Sequence, residues 1–391
     1  MLFALTSIHF AHILDFVIMM PLGPRFMRVF GIGSEQFGVL VSSYSVSAGV
    51  AGLIGSLFLD RFGRRKAILG LQAGFILGTF ACGLADSYEV LLVARALTGV
   101  FGGLVGAQVI AAVGDLFPAE RRGAATGIVL SAFPVASVAG VPLGLIIAGE
   151  FGWRWPFLGI ALLSVAFLAV AWRALPAMPA HEDASAEAFW RAPQRILQRP
   201  NSYVAFLFLL FIVLTSFSLI PYIAPYLVSN VGLLEEQLPI VYLLGGAAAF
   251  FSSRLFGRMS DRYGKRRMFL ILAVAALVPI LGLTHMPPLP LHGILLVTTS
   301  LFVLMPGRVV PAWAMITGSV PTSMRGSFMS LISAVQQFSA GLAAYIGGKI
   351  IRETVDGRLL NYPLVGYLAV GTTLVAFFLA LRLRTVEDST D

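Results

Sequence analysis

The apolar residues of this chain are gathered into twelve stretches, each about twenty residues long, which is enough for a helix to cross the roughly 30 Å hydrocarbon core of a bilayer. Hydrophobic residues make up 58% of the 391 positions and charged residues only 12%, and a water-soluble fold of this size could not bury so much apolar surface. The sequence therefore predicts an all-α membrane protein with twelve transmembrane helices. The stretches lie near residues 2–24, 37–59, 67–85, 88–114, 124–148, 155–173, 202–228, 237–257, 268–285, 290–316, 327–351 and 362–381.

A polar segment divides the twelve stretches into two groups of six. Residues 174–200 contain four prolines and a short run of His, Glu and Asp, so they are too polar and too often interrupted to span a membrane. We therefore expect an N-terminal six-helix bundle at 1–173, a cytoplasmic linker at 174–200 and a C-terminal six-helix bundle at 201–391.

The basic residues are distributed unequally between the two sides of the predicted membrane. Of the 27 Lys and Arg residues, 18 fall on the side that both termini and the linker share, six fall on the other side, and three lie within stretches. Because Lys and Arg collect in cytoplasmic loops, we expect both termini in the cytoplasm and the chain in the inner membrane of a bacterium. This asymmetry also accounts for the net charge of +8, so we expect no nucleic-acid partner.

Two short motifs recur at matching places in the two halves. The loop after the second stretch reads D-R-F-G-R-R-K from Asp60, and the loop after the eighth reads D-R-Y-G-K-R-R from Asp261, 201 residues later. A Pro-x-x-x-Arg-Gly motif beginning at Pro118 is repeated at Pro321, 203 residues later. Two repeats at nearly equal offsets predict a duplicated six-helix unit.

These loops resemble the signature G-x-x-x-D-R-x-G-R-R of the major facilitator superfamily, although Ser56 stands where the first copy should begin with glycine. The resemblance implies a transporter whose substrate site lies between two pseudo-symmetric bundles, as is general in that family. It also implies that the loop residues form a gate, whereas determination of topology alone is the alternative. We expect a tight turn with positive φ at Gly63 and at Gly264. The gating residues implied are Asp60, Arg61, Gly63, Arg64, Asp261, Arg262, Gly264 and Arg266.

Ionisable residues inside the first stretch are candidates for proton coupling, because charges within a membrane are costly. His9, His12 and Asp15 follow one another at intervals of three, which places them within about 120° of the circumference of one helix. Asp15 followed by the sequence P-L-G-P resembles the first-span motif of twelve-span drug:proton antiporters and sugar efflux permeases. We expect Asp15 to carry the proton, and His12 is the candidate relay. A neutral histidine that only bonds between helices is the alternative for His12.

Arg95 in the fourth stretch is the predicted partner of Asp15. Counted at 1.5 Å per residue from the same side of the membrane, Asp15 lies roughly 13 Å deep and Arg95 roughly 9 Å deep, a difference that an arginine side chain bridges. A static ion pair is the alternative to a role in proton binding. The same stretch carries two interleaved G-x-x-x-G pairs, which predict close approach of neighbouring helices. These glycines are Gly99, Gly102, Gly103 and Gly106.

Further polar residues are candidates for the lining of a substrate cavity. The sequence M-P-G-R-V-V-P around Arg308 interrupts the tenth stretch, and its prolines and glycine predict an unwound or kinked helix. We expect Arg308 to bind an anionic group, with an internal salt bridge as the alternative. The other candidates are His9, Gln108, Gln336 and Gln337, and the alternative for the glutamines is hydrogen bonding between helices alone.

The fifth stretch is predicted to bend. It lacks the Gly-Pro pair of the antiporters but keeps a proline within a G-x-x-x-G spacing, formed by Gly140, Pro142 and Gly144. Proline removes one helical hydrogen bond, and glycine lets a neighbouring helix come close.

Together these features predict a secondary transporter that exports a small drug-like or sugar-like molecule by alternating access, driven by the proton gradient. A proton symporter or a facilitator for an organic anion is the alternative. Sequences typical of zinc hydrolases, serine hydrolases and phosphate-binding loops are absent, so we expect no catalysis, no metal and no organic cofactor. A non-transporting receptor is disfavoured because the chain has no soluble signalling domain. We expect a monomer in the lipid bilayer.

Overall fold

The computed structural model describes residues 1–58, 63–178, 194, 196–321 and 324–385. Within them, eleven helices are long and apolar enough to cross a membrane, and a helix pair bent by 57° supplies a twelfth span. The predicted all-α architecture of twelve transmembrane spans is therefore confirmed.

The spans of the first half follow the predicted order, and we number them in chain order. Span 1 is Leu2–Ile18 with Gly23–Phe30, span 2 is Ser34–Phe58, span 3 is Arg64–Leu84, span 4 is Tyr88–Leu116, span 5 is Ala119–Leu130, Ala132–Val135, the π-helix Ala136–Gly140 and Val141–Phe151, and span 6 is Arg154–Ala174.

The second half repeats this arrangement. Span 7 is Pro200–Leu219, continued by short helical turns to Val231, span 8 is Leu238–Tyr263, span 9 is Lys265–Thr284, span 10 is Leu291–Gly318, span 11 is Arg325–Ile350, and span 12 is Tyr362–Arg382. A small antiparallel hairpin between spans 11 and 12 pairs Arg352–Glu353 with Leu359–Leu360.

Span 1 is broken before its prolines. Its first helix ends at Ile18, because a residue that precedes a proline is disfavoured in helical conformation and Pro21 lies just ahead. The chain then resumes as the helix Gly23–Phe30, with Pro24 in the first turn, where a missing N–H breaks no helical hydrogen bond. The P-L-G-P sequence thus lies at the break between the two helices of a bent span.

The proline sequences of spans 5 and 10 behave differently. In span 5 the helix widens into a π-helix over Ala136–Gly140, directly before Pro142. Span 10 is one continuous helix with Pro306 and Pro311 inside it, so it is not unwound, and the alternative of a kink stays a prediction. Each of these prolines removes a single backbone bond, and packing of span 10 against spans 8 and 9 holds the rest of the helix together.

The two halves pack along a seam between span 2 and span 11, and span 5 packs against span 8. The Ser42 hydroxyl donates to the Gly341 carbonyl at 2.6 Å across the seam. A methyl group on Gly38 would lie 2.7 Å from the Ala344 carbonyl oxygen, so only glycine permits this approach. The boundary between the halves falls largely outside the described residues, and the domain limits remain predictions.

Ion pairs close one end of the molecule, the end that carries the loop between spans 1 and 2. Glu235 before span 8 pairs with Arg25, at 3.1 Å, and also with Arg28, both from the second helix of span 1. Glu353 accepts hydrogen bonds from the backbone N–H of Ser34 at 2.6 Å and from its hydroxyl at 2.7 Å. These contacts join the two halves, and we call this the closed end.

At the opposite end, the polar contacts between described residues join members of the same half. Arg64 pairs with Asp115 at 2.6 Å within the first half, and Asn201 bonds to the backbone of Arg384 within the second. The halves are thus clasped at the closed end, and the described polar contacts do not tie them together at the other.

Candidate functional site

Asp15 and Arg95 form a buried ion pair in the core of the first half. Span 1 supplies the carboxylate and span 4 the guanidinium, and Nη1 of Arg95 donates to Oδ2 of Asp15 at 2.6 Å. Their side chains are 0% and 1% exposed. The two residues meet at similar depth, as the rise of the two helices predicts.

The bonding of this pair is incomplete. Oδ1 of Asp15 and Nε of Arg95 are buried without a hydrogen-bond partner. The guanidinium also lies over the ring of Tyr44, with its Cζ 4.7 Å from the ring centroid. Burial favours a neutral carboxyl group, whereas the adjacent guanidinium favours a carboxylate. This balance suits a group that gains and loses a proton.

The two histidines of span 1 bind each other. Nε2 of His12 and Nδ1 of His9 are 3.0 Å apart, and the rings meet edge to face. His12 lies one helical turn from Asp15. Among the described residues, no hydrogen bond joins His12 to Asp15, so the His9–His12 pair within span 1 is separate from the Asp15–Arg95 pair between spans 1 and 4.

Gly106 of span 4 makes room for His12. A methyl group at this position would lie 2.9 Å from Nε2 of His12. The other glycines of span 4 admit span 2, since Gly99 faces the backbone of Tyr44 and Gly103 faces Ala48. The close helix approach predicted from the interleaved glycines is therefore present.

Gly106→Ala is expected to turn the His12 ring away and break its bond to His9. Losing one hydrogen bond of about 1 kcal/mol would slow a proton step that uses His12 on the order of fivefold. The initial rate of transport driven by a pH gradient measures this effect. Gly114→Ala on the same helix is the matched control, because a methyl group there meets nothing within 4 Å. Equal rates for the two variants would exclude a role for the His12 position.

Arg308 lies in the core of the second half without an acidic partner among the described residues. Its side chain is fully buried, and Nη1 donates to the Thr373 hydroxyl at 3.0 Å. Nε and Nη2 have no hydrogen-bond partner. Beside it, the hydroxyls of Thr215 and Thr372 are 2.7 Å apart. The internal salt bridge considered from the sequence is not formed by the residues described here.

The three predicted glutamines lie on span 4 and span 11, and their place in a substrate cavity stays a prediction. Gln108 accepts a hydrogen bond from Arg64 at 3.1 Å within the first half. Gln337 lies at the seam, where its Cβ would be 3.3 Å from a methyl group on Gly49. Gln336 is half-buried on the same helix of the second half.

The repeated loops differ between the halves. Gly264 adopts φ +93°, as predicted, but Gly63 has φ −52°, so the predicted positive φ is wrong there. Gly63 instead precedes the first turn of span 3 in an ordinary conformation, and a methyl group on it would lie 2.9 Å from the Met178 carbonyl oxygen. Close packing therefore requires glycine at this position.

The remaining gating candidates are exposed or bound within their own half. Arg266 donates to the Leu383 carbonyl at 2.9 Å, whereas Asp261 and Arg262 are exposed. Asp60 and Arg61 lie outside the described residues.

Span 5 brings its predicted bending residues against span 1. A methyl group on Gly140 would contact Leu14, and one on Gly144 would lie 2.8 Å from Ile18. Pro142 follows the π-helix directly. The widened turn thus lies beside the helix that carries Asp15.

Sequence reasoning missed Tyr44 and the two glutamates of the closed end. Tyr44 is one aromatic residue in an apolar span, and no spacing in the sequence distinguishes it. Glu235 and Glu353 look like ordinary loop acids until the fold brings span 1 and span 2 against them.

Residues 5–344 match the sequence model of a protein family described as "Major Facilitator Superfamily". The chain belongs to this superfamily. It is therefore a multi-pass membrane transporter and not an enzyme, which agrees with the resemblance carried by its repeated loops.

Individual relatives are similar over most or part of the chain. The putative transporter AraJ of Escherichia coli is 28% identical over 65% of this chain and 62% of its own length, so the match spans less than two thirds of that protein. The inner membrane transport protein YdhP of Escherichia coli is 26% identical over 93% of this chain and 91% of its own. A probable sugar efflux transporter of Mannheimia succiniciproducens is 22% identical over 88% of this chain and 84% of its own.

Solved structures share the fold. A bacterial homologue of the lysosomal transporter Spinster, inward-facing and occupied, matches with a TM-score of 0.78 at 17% identity, covering 99% of this chain and 97% of that one. The inward-open xylose transporter XylE of E. coli matches with a TM-score of 0.74 at 16% identity, covering 96% of this chain and 94% of that one. At these identities the likeness concerns the fold alone.

Proposed function

We propose that the protein exports a small organic molecule in exchange for protons, with Asp15 as the proton carrier and Arg95 adjusting its proton affinity. The observation that carries this proposal is the buried, incompletely bonded Asp15–Arg95 pair. A carboxylate is kept inside a membrane span at high cost, and proton relays are a general use of such residues.

The proton changes the charge balance in the core of the first half. With Asp15 ionised, the pair is neutral overall and the two groups attract each other. With Asp15 protonated, Arg95 keeps a buried charge without a counterion among the described residues, and the face of the Tyr44 ring lies against it. Because the two forms differ in charge, the bundle packs differently around each, and the proton can drive a change of state.

The direction of transport rests on topology and on the relatives. With both termini in the cytoplasm, the closed end faces outward in this state. Relatives include the probable sugar efflux transporter and a chloramphenicol resistance protein of Streptomyces lividans, 28% identical over 64% of this chain. We therefore propose a sugar-like or drug-like substrate that leaves the cell.

Proteoliposomes with an imposed pH gradient test this function. A gradient of one pH unit supplies about 1.4 kcal/mol per proton, which corresponds to about tenfold accumulation if one proton exchanges for one substrate. Radiolabelled chloramphenicol, arabinose and xylose are suitable first probes. Accumulation that follows the pH gradient and collapses with a protonophore is expected, whereas equilibration without accumulation of a transported probe would contradict proton coupling.

A symporter or facilitator for an organic anion is the second candidate. The observation that favours it is Arg308, which has no acidic partner in the part of the chain that the structure describes. A buried guanidinium with two unbonded nitrogens matches the fork geometry of a carboxylate. The side chain is fully buried in this state, so anion access requires span 10 to move away from span 12.

Arg308→Met separates the two candidates. Removing an uncompensated buried charge is expected to be neutral or to stabilise the protein by up to about 1–4 kcal/mol, judged from buried ion pairs replaced by apolar side chains. If Arg308 binds anions, benzoate raises the thermal midpoint of the wild type but not of the variant. Arg254→Met, which removes an exposed guanidinium stacked on Phe250, is the control. A benzoate response that survives in Arg308→Met would exclude this site.

A further inference from the structure

Tyr44 lies between the Asp15–Arg95 pair and the seam that joins the halves. Its ring is 3% exposed and faces the Arg95 guanidinium at 4.7 Å. Its hydroxyl is buried without a hydrogen-bond partner. A tyrosine that forms no hydrogen bond contributes through its ring, and here the ring is in contact with a buried cation.

Span 2 also carries the contact across the seam. Ser42, whose hydroxyl bonds to the Gly341 carbonyl at 2.6 Å, is two residues from Tyr44, or about 200° around the helix. The two side chains thus project from opposite sides of span 2. A displacement of the Tyr44 ring therefore acts on span 2, whose first residue, Ser34, donates to Glu353 at the closed end.

Aromatic contacts also connect Tyr44 to span 7 of the second half. The ring centroids of Tyr44 and Phe16 are 5.1 Å apart, and those of Phe16 and Phe217 in the second half are 5.9 Å apart. The ion pair is thus connected to the other half through two routes that both begin at Tyr44.

We propose that Tyr44 is a positioning residue that transmits the charge state of Asp15 to the closed end; this rests on the proposed function of Asp15. When Asp15 takes up a proton, Arg95 loses its counterion, and the ring face of Tyr44 becomes its main stabilising contact, a cation–π interaction of about 0.5–2 kcal/mol. The guanidinium moves with respect to the ring, and span 2 moves with the ring. Protonation thereby weakens the closed end.

The other groups around Asp15 are compatible with this role. The charged and titratable groups that face it are Arg95 from span 4, Tyr44 from span 2 and Cys82 from span 3. His12 lies one turn away on its own helix and binds His9. Arg95 is the cation among them that contacts both Asp15 and Tyr44.

Distances between spin labels across the closed end test the proposal without knowledge of the substrate. Val29→Cys and Val355→Cys place labels on exposed positions of the two halves, while the native Cys82 is buried. As the pH is lowered from 8 to 6, the ratio of long to short distances is expected to rise by more than about tenfold in the wild type. A proton-linked change of state can shift the two populations by this amount.

Four variants decide the outcome. Tyr44→Leu is expected to reduce the pH response to less than about twofold, and Tyr44→Phe, which keeps the ring, to restore it. Tyr242→Leu is the matched control and should respond like the wild type, since Tyr242 is also buried with an unbonded hydroxyl but packs on Phe302. A methyl group on Gly102 would clash with the Tyr44 hydroxyl and lie 3.1 Å from the ring atom Cζ, so Gly102→Ala displaces the ring and should behave like Tyr44→Leu if that variant does not fold.

The results distinguish this proposal from the proposed function. A pH response that persists in Asp15→Asn, or is missing in the wild type, would overturn the role of Asp15 as proton carrier. A response that is lost in Asp15→Asn but intact in Tyr44→Leu, or in Gly102→Ala, would overturn the role of Tyr44 alone.

Discussion

Asp15→Asn is expected to abolish accumulation against a gradient, lowering it from about tenfold per pH unit to equilibration. The amide has the shape of the protonated carboxyl group but exchanges no proton, so the pH gradient no longer does work on the substrate. Substrate uptake into proteoliposomes, with and without the gradient, measures the change.

Exchange of substrate without net proton movement is the internal control for this variant. Because the amide resembles the protonated form, counterflow of labelled against unlabelled substrate should continue, and the protein should remain folded in the membrane. Asp86→Asn makes the same replacement at an exposed loop position and should leave accumulation unchanged. Full uphill transport by Asp15→Asn would falsify the assignment of Asp15 as the proton carrier.

Breaking the Asp15–Arg95 pair from one side is expected to cost stability that the double variant recovers. Asp15→Asn leaves Arg95 buried without a counterion, and loss of one member of a buried ion pair costs roughly 3–5 kcal/mol. Asp15→Asn/Arg95→Met removes the stranded charge as well and should recover on the order of 2 kcal/mol or more. Denaturation of the purified protein in detergent measures both values.

The double-mutant cycle also tests the alternative of a static pair. Arg95→Met alone leaves Asp15 free to take up a proton and become neutral, so its stability should fall as the pH is raised and the carboxylate is forced to ionise. Transport by this variant should no longer follow the pH gradient. If Arg95→Met kept normal pH-driven transport, Arg95 would only hold the helices together.

The sequence by itself determined the number of spans, the repeat and the meeting of Asp15 with Arg95. The number of spans follows from the bilayer thickness, because that thickness sets the length of an apolar helix. The repeat is carried by residues whose spacing needs no structure. The depth of Asp15 and Arg95 follows from the fixed helical rise, so a vertical coordinate could be calculated from the sequence.

The tertiary structure decided everything that depends on which face of a span meets which neighbour. Most spans are apolar on all sides, so hydrophobic periodicity does not orient them, and rotation is set by packing against other helices. For this reason the stacking of Tyr44 on Arg95 and the bond from Arg308 to Thr373 had no sequence signal, whereas His9 and His12 are neighbours on one helix by their spacing alone. The closed end likewise exists only where the fold brings Glu235 to residues more than two hundred positions earlier in the chain.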